Sequence, residues 1–209
     1  MATRIVPSGA EPLRTVRTVL PAVRGERVTL RPYAAGFDEE ALRVLYRWAR
    51  DGEILELSGG MPIQMPFGRF RDLFLTQLPR RNGGGEELFA VLDEHHRLIG
   101  RTGLFRIGRL ARTAELGIVI GERDAWGHGY GRDAVRTLAR HGLANLGLDR
   151  IVLYTFPDNV RAQRAFAAAG FRHVRTLRRF TIERGTHEEV EMEMRRGAAA
   201  GARSPNGAR

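Results

Sequence analysis

Hydrophobic and polar positions alternate in ERVTLRPY (26–33). Val28 and Leu30 point one way and Thr29 and Arg31 the other, as in a strand with one buried face. The period then lengthens. In GFDEEALRVLYRWARD, Leu42, Leu45, Tyr46 and Ala49 recur at helical spacing, and Phe67, Phe70, Phe74 and Leu78 form a similar stripe in FGRFRDLFLTQL. SGGMPIQMP, with a proline near each end, predicts the loop between these helices, and NGGGE (82–86) a flexible turn after them. Strands are predicted in ELFAVLD and RLIGRTGLFRI, joined by an EHH turn, and in TAELGIVIGE (113–122).

A third helix places Val135, Leu138, Ala139, Gly142, Leu143 and Leu146 on one face, and Gly147 and Leu148 stop it. RIVLYTF is apolar almost throughout, as a central buried strand would be. DNVRAQRAFAAAGF predicts a short helix with Ala162, Ala165, Phe166 and Ala169 inward and Gly170 at its C-terminal cap. HVRTLRRFTI and EEVEMEM, flanking ERGTH, predict a closing hairpin. The expected fold class is α/β: one domain, 26–196, around a mixed sheet. A basic N-terminal arm (1–25) and a disordered C-terminal tail (197–209) flank it.

Charge sharpens that division. Of the net +10, residues 1–31 carry +4 (six arginines, Glu11 and Glu26), and residues 195–209 carry another +4 (four arginines, no acid). Such ends are solvated tails or contacts for ribosome or nucleic acid. All 34 basic residues are arginine, so the chain has no side-chain amine of its own to acylate. Cysteine is absent, which removes cysteine nucleophiles and fits a cytoplasmic location. No apolar run approaches the ~18 residues of a membrane span, so no membrane association is expected. None of the histidines has a metal-ligand spacing, so no metal is expected.

The candidate chemistry lies in WGHGYGRDAVRTLARHGLANLGLDRIVLYTFPDN (126–159). Gly127, Gly129 and Gly131 precede a clean amphipathic helix. A strand, a glycine loop and a helix start make an anion site, because free N–H groups and the helix dipole face the ligand. The spacing fits neither the GxxxxGK[ST] phosphate loop nor the dinucleotide G-x-G-x-x-G. His128 lies within the loop, and Arg132, just past it, is either a phosphate ligand or a solvated helix-start residue.

AELGIVIGERDAWGHGYGRDAVRTLARHGLANLGLDRIVLYTFPDNVRAQRAFAAAGF resembles the acetyl-CoA-binding core of the GNAT N-acyltransferase superfamily. Gly129 and Gly131 match the last two positions of its Gln/Arg-x-x-Gly-x-Gly/Ala pattern, and Asn159, Gly170 and Phe171 match its downstream N…GF element. W-G-x-G-Y, L-x-R…N-x-R-A, RVTLRP and LIGRTGL are most similar to the Rim-type branch, which acetylates ribosomal-protein N-termini. The resemblance covers roughly residues 26–195.

It implies an N-acetyltransferase acting by direct transfer in a ternary complex with acetyl-CoA. The strands at 113–122 and 149–155 are expected to splay, with a bulge in the first. Pantetheine would lie in the gap, and an amide near Ile118, Val119 or Ile120 would meet the acetyl carbonyl. The pyrophosphate would rest on amides from Gly127 through His128, Gly129, Tyr130 and Gly131 to Arg132. Asn159 is a pantetheine ligand or a helix cap. Glu115, fourteen residues before Gly129, is the candidate base, or else a strand-end partner of an arginine such as Arg112; Glu122 is weaker.

Two positions depart from the wider family. The Gln/Arg slot is Trp126, expected to pack the loop, and the usual tyrosine acid is Phe166. Water, Tyr154 or Tyr130 is left to protonate the thiolate. The acceptor is a protein N-terminus or a small amine, with SGGMPIQMP a place to look for selection and Glu53 and Glu56 candidates for drawing in a cation. A non-catalytic acyl-CoA-binding module and a ribosome-associated protein using its arms are the rival readings. A homodimer would also fit the resemblance.

Overall fold

The computed structural model describes residues 21–81, 85–182 and 184–197. The expectations for most of both arms, for the centre of NGGGE and for the Leu78 side chain fall outside the described residues. Eight strands form one sheet in the order β1-β2-β3-β4-β5-β6-β8-β7. They are β1 (Val23–Arg24), β2 (Thr29–Pro32), β3 (Glu87–Leu92), β4 (Leu98–Gly108), β5 (Thr113–Ile120), β6 (Arg150–Thr155), β7 (Arg172–Thr181) and β8 (Gly185–Arg195). β5 and β6 run parallel, and the other neighbours are antiparallel. β1, inside the stretch expected to be irregular, pairs with β2 over two residues.

The helices divide between the two faces. α4 (Tyr130–Ala144) and α5 (Val160–Ala169) cover one, burying Val135, Leu138 and Ala139 of α4 against Leu104, Leu116, Ile151 and Leu153. α1 (Glu39–Trp48), α2 (Gly52–Ser58) and α3 (Phe67–Arg81) cover the other, where Leu42, Leu45, Trp48 and Ile54 pack with Phe67, Phe70 and Val119. Asp38 starts α1, its carboxylate accepting from the Ala41 amide at 2.8 Å. α2 was not predicted. It has seven residues, too few for a helical period to register, and it is held by the Asp51 cap and a left-handed Gly59. At Gly121 a side chain is sterically excluded, since a Cβ would sit 2.1 Å from Trp48 Cδ2. That close approach lets α1 lie directly over the end of β5.

Two strand expectations need correction. β6 is not buried on both faces: Ile151, Leu153 and Thr155 are buried, while Val152 and Tyr154 are half-buried. One face of β6 packs on helices and the other opens on a cavity. The irregularity expected in β5 lies instead in β4. Between Phe105↔Glu115 and Gly108↔Thr113, β4 spends three steps against two in β5, and Arg106 takes φ 50° to absorb the extra residue.

Candidate active site

β5 and β6 pair at only three positions: Thr113↔Arg150, Ala114↔Ile151 and Glu115↔Val152. Beyond Glu115 they part, and Leu116 to Ile120 are paired with β4 alone. This is the splay expected from the sequence. Trp126 closes one end of the gap, its indole N–H donating to the Ile120 carbonyl at 2.8 Å. Peptide groups alternate sides along a strand. With the Ile120 carbonyl turned into the gap, the N–H and C=O of Ile118 face it too.

The glycine loop lies below this gap. Gly127 has φ 79° and Gly129 φ 85°, so both are left-handed, a conformation other L-residues adopt at a cost. Gly129 is the N-cap of α4 and has no side chain to satisfy the helix amides. The first amide of the helix start to find a partner is Asp133, on the Gly129 carbonyl at 3.0 Å. Among the described residues, no amide from Gly127 to Arg132 has an acceptor in the protein. Five of these six residues, Gly127, His128, Gly129, Gly131 and Arg132, line a cleft of about 510 Å³ at the helix N-terminus. Arg132, Arg161 and Arg164 ring it, and none has a carboxylate partner among the described residues. The Arg161 guanidinium lies 3.9 Å from the centre of the Trp126 ring, which packs against the cluster of Leu42, Leu45, Trp48 and Ile54. Arg161 was visible only inside the N-x-R-A run, without a role, and Arg164 went unread.

Of the expected ligand residues, Ile118, Val119, Ile120, Gly127, His128, Gly129, Gly131, Arg132 and Asn159 line this cleft. The Tyr130 side chain does not. Its ring lies under Arg27, 4.5 Å from the guanidinium, and hydrogen bonding with Glu94 pushes the phenol above its ordinary value.

A second cavity of similar size, about 510 Å³, opens on the α1–α3 side of the gap. Leu57, Ser58, Ile118, Val119, Asn159, Ala162 and Phe166 line both, so the two meet through the splay. Asn159 caps α5, its Oδ1 accepting from the Ala162 amide at 3.1 Å. Phe166 is buried between the cavities. Glu115 lines the second cavity with its side chain 26% exposed and ion-paired to Arg106. The arginine partner is therefore Arg106; Arg112 pairs with Asp149 at 3.0 Å. Glu122 lines neither cavity and is held by Arg47 and, at 2.9 Å, the Trp48 indole.

Tyr154 faces the second cavity from β6. Burial, then the Glu191 and Glu115 carboxylates, push its phenol up, against the pull of Arg179 and Arg150. From SGGMPIQMP only Ser58, Gly59 and Gly60 reach this cavity. Neither Glu53 nor Glu56 lines it, and Glu53 is paired with Arg123 at 2.8 Å. Sequence reasoning missed the hairpin wall of this cavity, formed by Arg179, Thr181, Arg184, His187 and Glu189. Four of these residues lie on the two strands of the predicted closing hairpin, and Arg184 lies in the turn between them.

Comparison with known proteins agrees with this geometry. The model of the acetyltransferase (GNAT) domain matches residues 27–172. The chain is 26% identical over 168 residues to the "uncharacterized N-acetyltransferase p20" of Bacillus licheniformis, covering 80% of this chain and 91% of that one. Spermidine N-acetyltransferase from Vibrio cholerae, solved with CoA and spermine, superposes with a TM-score of 0.66 at 22% identity, over 80% of this chain and 95% of that one. A GNAT-family acetyltransferase from Bacillus anthracis gives 0.66 at 17% identity, over 84% and 98%.

Proposed function

The chain belongs to the GNAT acetyltransferase family, and from that premise we propose that it transfers the acetyl group of acetyl-CoA to a primary amine by direct attack in a ternary complex. The observation that carries this reading is the set of unpartnered amides from Gly127 to Arg132, opening into the gap between β5 and β6. The unpartnered amides of the loop and the α4 dipole suit a diphosphate, and Arg132, Arg161 and Arg164 suit the remaining phosphate. The gap suits pantetheine, with the Ile118 peptide as its strand-like partner.

As the amine attacks, negative charge grows on the thioester oxygen, where one aimed donor is worth on the order of 3 kcal/mol. Glu115 accepts the amine proton, directly or through water, because a protonated amine has no lone pair to attack with. The new C–N bond forms as the C–S bond breaks, and the thiolate takes a proton. Phe166 has none to give and Tyr130 is turned away. We assign that role to Tyr154, a phenol protonated at neutral pH whose pKa burial pushes up further. A covalent acyl-enzyme through cysteine is closed to a chain without one.

The Trp126–Tyr130 run and Phe166 support a place in the Rim-type branch, whose acceptors are protein N-termini; a small amine is the other acceptor class. We take residues 26–196 as the catalytic unit, acting in the cytoplasm. Calorimetry with CoA and thiol release with acetyl-CoA and an amine panel test the reading together. Heat with CoA and acetylated amine by mass spectrometry are expected. Heat without turnover would leave an acyl-CoA-binding module, and no heat would overturn the reading.

A further inference from the structure

We propose that the acceptor is a primary amine bearing an anionic group, a carboxylate or a phosphate, and not a polycation; this rests on the acetyl-transfer reading above. The charges that line the second cavity favour such an acceptor. Two carboxylates face the cavity, Glu115 and Glu189, and each has an arginine beside it, although the buried Glu189 Oε2 accepts no hydrogen bond. Glu115 holds Arg106, while Glu189 is 3.2 Å from Arg179 Nε and 3.2 Å from His187 Nε2. Three guanidiniums face the same space: Arg101, Arg179 and Arg184. Arg101 has no carboxylate partner among the described residues. Arg184 stacks on Phe156 at 4.0 Å and donates to the Glu56 carbonyl, again with no carboxylate among the described residues.

The balance is therefore two neutralised acids and two cations without counter-charge. Among the described residues, a polyamine entering here would find no carboxylate without an arginine beside it and would face like charge at close range. An amine with its own anion would place nitrogen near Glu115 and the anion on Arg101 or Arg184, as a charge-assisted pair. Position favours Arg101. It is the cross-strand partner of Val119, which lines both cavities at the splay. Directly opposed residues in an antiparallel pair have Cβ atoms roughly 5 Å apart, so the Arg101 side chain leaves the sheet beside the reacting centre. Elsewhere on the rim, Glu53 is bound to Arg123.

The test uses matched amines with the full chain and acetyl-CoA: phenylalanine against phenethylamine, O-phosphoethanolamine against ethanolamine, an Asp-Ala amide against an Ala-Ala amide, and spermidine. Two readouts are taken, kcat/KM from thiol release and direct binding to the CoA-loaded chain. In each pair the anion-bearing member is expected to lead by roughly tenfold or more, with spermidine behind it. Arg101→Gln and Arg184→Gln together should bring the ratio near unity while CoA affinity holds. Arg101 is exposed and unpaired, so its loss does not threaten folding. Spermidine equal to or ahead of the anionic amines, or an unchanged ratio in the double variant, overturns the proposal. Turnover without anion preference leaves the acetyl-transfer reading standing and removes this one. Anion-selective binding without turnover does the reverse, and the absence of both removes both.

Discussion

The two cavities that meet at the β5–β6 gap are similar in volume and share seven lining residues, yet they are built from different material. The helix-side cleft is made of main chain: free amides, two left-handed glycines and a strand whose partner has left. The other is made of side chains, with arginine, glutamate, histidine and tyrosine drawn from β4, β5, β6, β7 and β8 and the turn between the last two. Amides recognise a phosphate whatever side chains surround them, which suits a ligand common to a whole family. Side chains can be exchanged without disturbing the sheet, which suits a ligand that changes from member to member. One cleft is thus a property of the backbone, and the other of this particular chain.

Mutations should separate the two. The largest effect is expected at Glu115, on the side-chain half. Glu115→Gln keeps the shape and removes the proton acceptor, so kcat should fall by about 10²–10⁴-fold while the calorimetric CoA affinity is unchanged. Weaker CoA binding in that variant would blur the division. On the backbone half, Gly129→Val should do the opposite. At φ 85° a β-branched residue would cost on the order of 1–3 kcal/mol, so the exposed loop shifts to relieve it and CoA affinity should drop by roughly 10–100-fold. Nothing but Arg132 Nη2, at 3.6 Å, lies near the new Cβ, so the expected fault is conformational rather than a clash. Melting temperature should change little. An unaltered CoA affinity would mean the loop amides do not hold the ligand.

The same contrast explains what could be read from sequence. Helical and strand periods located α1, α3, α4, α5 and the main strands, because each buries a continuous face. Gly127, Gly129 and Gly131 announced the cleft, since glycines directly ahead of a helix have few uses besides freeing the backbone. The hairpin wall left no such trace. Arg179, His187 and Glu189 lie on a strand pair rich in charge and Arg184 in its turn, and the pairing of β8 with β6 brings this hairpin beside Tyr154. Local pattern carries no information about a partner strand some 35 residues away. α2 and the bulge at Arg106 escaped for a related reason: one is too short for a period, and the other is decided by the register with β5.

The side-chain half should also be the more acid-sensitive. Behind the hairpin wall, Glu193 has its side chain 5% exposed and accepts from Arg150 at 2.5 Å, Arg172 at 2.7 Å and Arg195 at 2.9 Å. The Arg195 bond first, then those of Arg150 and Arg172, hold its carboxyl at about 2 against the opposing effect of burial. A depressed folded-state pKa stabilises above the unfolded value and is lost as pH falls. The loss should therefore run from about 4.5 down to about 2. Allowing for screening of the exposed arginines, the contribution is on the order of 2 kcal/mol. Hydrogen exchange across that window should show β7 and β8 opening before α4, whose central contact with the sheet, through Val135, Leu138 and Ala139, is apolar. Simultaneous opening would mean the network adds nothing local.

The smallest effect expected is at Tyr154, and it bears on whether the chemistry draws on both halves or one. The helix-side cleft presents no tyrosine among the described residues that line it, because the family's tyrosine slot is Phe166 and Tyr130 is held under Arg27. If the thiolate is protonated by the protein, the proton comes from across the gap. Tyr154→Phe preserves the ring and its 4.0 Å stack with Arg179, so the cavity wall stays intact. A thiolate is a competent leaving group on its own, so the expected fall in kcat is roughly tenfold, less than the ~10² of an indispensable acid. The pH dependence gives the sharper readout. A raised pKa keeps the phenol protonated beyond its ordinary value of 10.0, so the alkaline fall in rate should lie above that pH in the native chain. It should disappear in the variant. An unchanged kcat and an unchanged alkaline limb would assign the proton to water and confine the acid–base work to Glu115.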